Sequence, residues 1–217
     1  MLTLCSTGRD FTGVMLLDCA PREAECIALF AASSAENRLK HLKGFRGAVF
    51  SASLCGRYAV EIVLWDNPAS LMTARENPLL SEHIDIVEHH VKGLYAAFSS
   101  HHETCGDKEI SFARGERFSF ALHKPCTPTL LGAVREQMRS IGGLATARVL
   151  LHSAEDGAGL VLISKDAVDA SAGATLPKTL GTPAFRDDFI VVEDICASCD
   201  AERFNPPYRL ALATANV

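Results

Sequence analysis

The chain repeats its own pattern, which strongly limits the folds open to it. A shift of 107 residues superimposes four residues of each half: Gly8 on Gly115, Phe11 on Phe118, Cys19 on Cys126 and Pro21 on Pro128. A period of about a hundred residues is typical of a duplicated domain, because solenoid repeats span only ~20–50 residues. We therefore predict two domains of the same fold, residues 1–103 and residues 108–217.

Hydrophobic periodicity predicts the same order of elements in both halves. The first half is predicted as a strand over 11–17, a helix over 21–44, strands over 47–53 and 58–65, a helix from Pro68 through Pro78, and a strand over 93–99. The second half is predicted as a strand from Phe118, a helix over 128–142, strands over 145–152 and 159–164, a helix from about 167 through Pro183, and a strand over 208–213. The match of Val87-Glu88 with Val192-Glu193 extends the repeat toward the end of each half. Residues 32–37 have no counterpart in the second half and are predicted as a loop or an extra helical turn.

The β-α-β-β-α-β order is the ferredoxin-like plan, in which an antiparallel sheet carries both helices on one face. The other face would be apolar, because the segment 58–64 has hydrophobic residues on both sides. Two such sheets bury these faces when they pack together, and fusing the units in one chain raises their effective concentration. The predicted fold class is therefore α+β, with two tandem ferredoxin-like units that form an intramolecular dimeric α+β barrel.

Charge and hydropathy exclude several classes of partner. The 217 residues carry a net charge of −5 without a block of like charges, so we expect no nucleic-acid binding. The longest apolar runs are far shorter than the ~20 residues of a membrane span, and residues 1–6 contain no basic segment before a long apolar stretch. We expect a cytoplasmic protein without a membrane partner. The fused pair is consistent with a monomer or with a homodimer.

The eight cysteines do not predict a metal site. Their spacing does not fit a small disulfide framework, and free buried thiols are the expected state in the cytoplasm. The one CxxC, Cys196 to Cys199, follows an apolar run rather than opening a helix, so a redox role is not favoured. A zinc site would need a second ligand pair, which the sequence lacks.

Three features of the first half resemble the antibiotic-biosynthesis monooxygenase domain, a dimeric α+β barrel family. They are Gly44-Phe45-Arg46-Gly47 leading into a strand, Trp65-Asp66 ending a strand, and the helical segment Asn77-Pro78-Leu79-Leu80-Ser81-Glu82-His83. The resemblance covers most of residues 9–100, and residues 113–215 look like a diverged copy. Members of this family include cofactor-independent oxygenases of aromatic polyketides, quinol oxygenases and haem-degrading enzymes.

The resemblance implies a cavity between helices and sheet in the first domain, with Trp65 stacking on a flat aromatic substrate. In the second half the aligned residue is Ser164, so we expect the site in the first half only. The helix histidine of haem-degrading members is replaced by Arg75, and Val14-Met15-Leu16-Leu17 lacks their asparagine. The asparagine that quinone-forming members place before the tryptophan is absent from Glu61-Ile62-Val63-Leu64. We therefore expect no cofactor.

Oxygenation without a cofactor needs a base that deprotonates a phenolic substrate, and a histidine suits this task near neutral pH. His83, in the helix after Trp65, is the predicted base, and Trp65 and His83 are the predicted catalytic residues. Tyr58, Arg75 and His90 are predicted to bind substrate, while His101-His102 is expected in a solvated linker between the domains.

Two functional classes stay open. The first is a cofactor-independent monooxygenase acting on a small aromatic or polyketide-like substrate in the first-domain cavity. The second is a non-enzymatic, small-ligand-binding or stress-associated α+β barrel. The loss of the asparagine and histidine favours the second class, whereas Trp65 and the nearby His83 favour the first.

Overall fold

The computed structural model describes residues 2–5, 11–99, 101–105, 109–123, 145–152, 159–166 and 185–197. The strands are β1 (Leu2–Cys5), β2 (Phe11–Asp18), β3 (Phe45–Ser53), β4 (Tyr58–Trp65), β5 (Gly93–Ser99), β6 (His101–Cys105), β7 (Glu109–Phe112), β8 (Arg117–His123), β9 (Ala145–His152), β10 (Gly159–Asp166) and β11 (Phe185–Cys196). The helices are α1 (Ala24–Asn37), α2 (Pro68–Arg75) and α3 (Pro78–Glu88), with a 3-10 turn at Leu39–His41.

Nine of the described strands form one antiparallel sheet in the order β5-β2-β4-β3-β11-β8-β10-β9-β6. The order β5-β2-β4-β3 is that of a ferredoxin-like unit, because the last strand of the unit lies beside the first. Strands β5 and β9 lie near opposite ends of this order and nevertheless contact each other, so the sheet is curled. Strands β1 and β7 form a separate antiparallel pair.

Two hydrophobic clusters cover the two faces of the sheet. The helix-side cluster contains the buried apolar residues of α1 with Met15, Phe50, Val63 and Trp65 from the strands. The inner cluster joins strands from both halves of the chain: Val14, Leu16, Val49, Val60, Ile62, Leu64, Phe112, Phe118, Phe120, Leu122, Ile163, Phe189 and Val191. The mixed α+β fold and the curled antiparallel sheet are thus confirmed.

Most predicted elements of the first half are confirmed, including the hairpin of β3 and β4 and the last strand, Gly93–Ser99. Residues 32–37 continue α1 rather than forming a loop, and α1 ends at Asn37, before the 3-10 turn. The helix predicted through Pro78 is two helices. Each begins with proline after an asparagine cap, because proline's missing N–H is no loss in a first turn.

Two sequence predictions are wrong. His101–Cys105 is strand β6, paired with β9, and not an interdomain linker. Val192-Glu193 lies within β11 whereas Val87-Glu88 ends α3, so this match does not join equivalent positions.

In the second half β9 and β10 are confirmed. The predicted helices over 128–142 and from 167, and the predicted strand over 208–213, lie outside the described residues.

Candidate functional site

Strand β4 places one carboxylate among apolar side chains on the helix side of the sheet. Alternate residues of a strand point to opposite faces, so Glu61 shares its face with Val63 and Trp65. Its cross-strand neighbours are Met15 of β2 and Phe50 of β3, both in the helix-side cluster. Glu61 is 1% exposed. A carboxylate buried in this way is costly unless another group pairs with it.

Helix α3 supplies the partner of Glu61. The Asn77 side chain accepts a hydrogen bond from the Leu79 N–H and caps the helix. Leu80, His83 and Val87 then form the buried stripe of α3, at the spacing of one helix face. His83 is fully buried, and its Nε2 lies 3.1 Å from Glu61 Oε1 and 3.2 Å from Oε2.

Helix α1 supplies a third polar group. Ser34 is among its buried residues, and the Ser34 Oγ lies 3.0 Å from His83 Nδ1. Phe30 and Arg38, one turn to either side of Ser34, also contact the α3 region. The Phe30 ring lies against the His90 ring with centroids 4.5 Å apart, and Arg38 Nε is 3.3 Å from Glu82 Oε2.

The polarity of this hydrogen-bonded trio follows from its carboxylate. With Glu61 ionised, its oxygens only accept hydrogen bonds, and Nε2–H of His83 is then the donor. In a neutral imidazole the other nitrogen is then an acceptor, and the Ser34 hydroxyl donates to Nδ1. Ser34, His83 and Glu61 therefore form a buried hydrogen-bonded chain, in which the imidazole lies between a hydroxyl and a carboxylate.

Trp65 lies four residues after Glu61 on β4, and its side chain is therefore on the same face of the sheet. It is 1% exposed, and its ring meets Phe45 edge-on with centroids 5.8 Å apart. The turn before β3 favours glycine at position 44, because the backbone φ there is +84°, a value that other residues rarely adopt. The Gly44 carbonyl accepts a hydrogen bond from the Asp66 N–H. A Cβ at Gly44 would overlap the Ser70 side chain of α2. The glycine thus fixes the end of the Trp65 strand against α2.

The structure brings together only some of the predicted site residues. Trp65 and His83 lie on the same side of the sheet. Tyr58 packs against the inner cluster, where its ring meets Phe185 edge-on at 4.6 Å. Arg75 is exposed in the last turn of α2. His90 is exposed beyond α3, where its Nδ1 bonds the Ile86 carbonyl.

Glu61 and Ser34 were missed by the sequence analysis as site residues. Glu61 was noted only as replacing an asparagine, although a single carboxylate within the apolar run of β4, in step with Trp65, was a usable signal. Ser34 lies 49 positions from His83 and had no such signal.

The trio does not form a metal site as it stands, because both His83 nitrogens already have protein partners. Among the described residues, no cluster of three or more His, Cys, Asp or Glu side chains could hold a metal ion. Within the same residues, none of the helices combines the length and apolar character needed to cross a bilayer.

Comparison with solved structures gives similarity of fold at low sequence identity. An anthrone oxidase-like protein superposes with a TM-score of 0.71 at 12% identity, covering 91% of this chain and 98% of its own. A provisionally assigned monooxygenase from Fusobacterium nucleatum has a TM-score of 0.58 at 10% identity, with 86% and 94% covered. A similarly assigned protein from Lactobacillus acidophilus has a TM-score of 0.52 at 11% identity, with 87% and 97% covered. No protein-family model and no curated protein matches the sequence.

Proposed function

We propose that this chain is a cofactor-independent monooxygenase that acts on a small aromatic or polyketide-like substrate between α1, α3 and the sheet. The observation that carries the proposal is the buried trio of Glu61, His83 and Ser34 on the Trp65 face of β4. The fold shared with an anthrone oxidase-like protein supports it, although function depends on the site rather than on the fold.

We also propose that the chain is a tandem pair of ferredoxin-like units, residues 1–103 and 108–217. The supporting observation is the strand order. In β5-β2-β4-β3 the fourth, first, third and second strands of the first half lie side by side. In β11-β8-β10-β9 the described strands of the second half follow the same order. The inner cluster, which contains residues of both groups, would then be the interior of an intramolecular barrel.

The proposed chemistry begins with proton abstraction. A substrate such as an anthrone gives up a C–H proton to His83 at Nδ1, and Glu61 stabilises the imidazolium across Nε2. The substrate carbanion transfers an electron to O2, and recombination forms a peroxide at the same carbon. Loss of water then leaves a carbonyl, so that the CH2 group and O2 become C=O and H2O. The substrate is oxidised and O2 is reduced without any other redox partner.

Trp65 is proposed to hold the aromatic ring system of the substrate. An indole can stack on a flat ring and donate one hydrogen bond, and Trp65 shares the helix-side face with Glu61. His90 and Phe30 lie at the outer end of the contact between α1 and α3 and are proposed to meet the substrate on entry. Tyr58 and Arg75 have no part in this proposal.

Ser34, His83 and Glu61 also have the residue types of a hydrolytic triad, but the position of Ser34 argues against acyl transfer. A serine nucleophile needs free N–H donors that stabilise the oxyanion. Ser34 lies inside α1, where backbone N–H groups bond to carbonyls four residues earlier. This location suits a proton donor rather than a nucleophile.

A non-enzymatic barrel that binds a small ligand is the second candidate. One observation favours it: Trp65 is 1% exposed, His83 is fully buried and both ring nitrogens have partners. Buried polar groups whose hydrogen bonds are all made within the protein can belong to the core without taking part in a reaction. This candidate predicts binding of aromatic molecules without oxygen consumption.

Oxygen consumption with a panel of anthrones and hydroquinones, together with incorporation of 18O into the product, tests the proposal. The comparison uses the wild type, His83→Gln and Glu61→Gln, with His89→Gln as the matched control because His89 is exposed in the same region. We expect kcat to fall about 100-fold or more in the first two variants, the usual contribution of a general base, and to be unchanged in the control. Wild-type oxygen uptake equal to the enzyme-free rate on every substrate would reject the oxygenase.

A further inference from the structure

We propose that Ser34 is the proton relay of the site: it receives the substrate's proton and passes its own hydroxyl proton to His83. This inference rests on the proposed oxygenase function and adds a residue and a proton path to it. It makes Ser34 a participant in the reaction instead of a neighbour that only satisfies a buried imidazole.

The hydrogen bonds leave His83 one route for a proton. Nε2 faces both oxygens of Glu61, at 3.1 Å and 3.2 Å. Nδ1 is therefore the nitrogen that can accept a proton, and the Ser34 hydroxyl occupies it at 3.0 Å. A substrate that transfers its proton to Nδ1 must either displace this hydroxyl or use it.

The burial of the three groups favours use of the hydroxyl. His83 is fully buried and Glu61 is 1% exposed, whereas Ser34 is 5% exposed and is the most accessible member of the trio. Phe30 of α1 and Arg38, which follows the end of α1, lie one turn before and after Ser34 and contact His90 and Glu82 near the protein surface. Ser34 is thus the end of the chain that lies toward the edge of the contact between α1 and α3.

The relay balances without a change in the charge of Ser34. The substrate's C–H or O–H bond breaks as its proton joins Ser34 Oγ, and the Ser34 O–H bond breaks as that proton joins His83 Nδ1. Serine remains a neutral hydroxyl, and the substrate anion and the imidazolium are the products. O2 accepts the substrate's electrons as in the proposed reaction, and the proton returns along the same path when water leaves the peroxide.

Kinetics of Ser34→Ala test the relay, with Ser33→Ala as the matched control. Ser33 is the neighbour of Ser34 on α1 but does not bond the His83 ring, whose two nitrogens face Ser34 and Glu61. Alanine is a strong helix former, so the helix should persist in both variants. We expect Ser34→Ala to lower kcat about 100-fold with KM changed less than about threefold, since general acid–base steps contribute on this scale. Ser34→Thr, which keeps a hydroxyl, should recover about tenfold or more.

Solvent isotope effects separate a relay from a structural role. With a hydroquinone, whose O–H proton exchanges with solvent, the relay moves two exchangeable protons in one step, so the dependence of wild-type kcat on the D2O fraction should be curved, and it should become linear in Ser34→Ala. A kcat for Ser34→Ala within twofold of the Ser33→Ala value, or an unchanged curve, would overturn the relay.

An NMR measurement tests the relay without requiring turnover. In protein labelled with 15N-histidine, the relay requires His83 with a bare Nδ1 and a proton on Nε2, and Ser34→Ala should shift the Nδ1 signal. A proton on Nδ1 of the resting protein would overturn the relay. Absence of oxygen uptake by the wild type would instead reject the oxygenase, so the two failures are distinguishable.

Discussion

The two faces of β4 differ in chemistry although they belong to one strand. Val60, Ile62 and Leu64 point into the inner cluster, which holds five phenylalanines among its buried and partly buried members: Phe112, Phe118, Phe120, Phe185 and Phe189. Glu61 and Trp65 point to the helix side, where His83 and Ser34 complete a polar chain. The inner face holds two halves of the chain together, whereas the helix-side face carries groups that apolar packing does not require.

The difference indicates where function should be sought. A buried carboxylate with a hydrogen-bonded partner is a weak source of stability, because the cost of desolvation offsets much of the attraction. We expect hydrophobic residues in the place of Glu61 and His83 to cost little stability. The presence of Glu61 and His83 on one face, next to the tryptophan, is what the proposed chemistry requires.

The largest expected effect comes from breaking the buried pair. His83→Leu leaves the Glu61 carboxylate unpaired in the core, and we expect the free energy of unfolding to fall by about 4 kcal/mol. The double variant Glu61→Leu/His83→Leu should regain stability to within about 1 kcal/mol of the wild type and remain inactive. Urea unfolding measures both. A double variant as unstable as His83→Leu would mean that the pair is structural.

Shortening a side chain on the inner face is expected to lower the free energy of unfolding strongly without a specific change in kcat or KM. Phe120 is fully buried and meets Phe185 and Phe189 at centroid distances of 6.2 Å and 5.9 Å. Phe120→Ala should lower the free energy of unfolding by about 3 kcal/mol through loss of contacts and a residual cavity. At a temperature where the variant is folded, KM and kcat per folded molecule should match the wild type. A selective loss of kcat would show that the two faces are not functionally separate.

The smallest expected effect concerns the alkaline stability of the helix-side cluster. Burial raises the pKa of the Cys19 thiol from its ordinary 9.0 to about 11. The folded protein then holds this proton more tightly than the unfolded chain does, so the stabilisation is complete below pH 9 and is lost as pH rises toward 11. Between pH 8 and 10 the wild type should lose about 1 kcal/mol more than Cys19→Ala. Cys26→Ala, at an exposed thiol, is the control and should follow the wild type.

The sequence was informative wherever local patterns decide structure. The asparagine-proline starts of α2 and α3, the alternation of β4 and the stripe containing His83 are all visible in short segments. The Glu61–His83 and Ser34–His83 contacts join positions 22 and 49 residues apart, and only the assembled sheet and helices bring them together. Strand β6 was missed for a similar reason, since its polar residues acquire strand structure by pairing with the distant β9.

The most direct test of the helix-side site uses the single tryptophan of the chain, Trp65. Its fluorescence is measured while an anthrone or a hydroquinone is added without oxygen, with free N-acetyltryptophanamide as the control for light absorption by the ligand. Substrate binding on the helix side predicts saturable quenching beyond that control, unchanged in the inner-face variant Phe120→Ala. Quenching that never exceeds the control for any member of the panel would contradict the placement of the substrate beside Trp65.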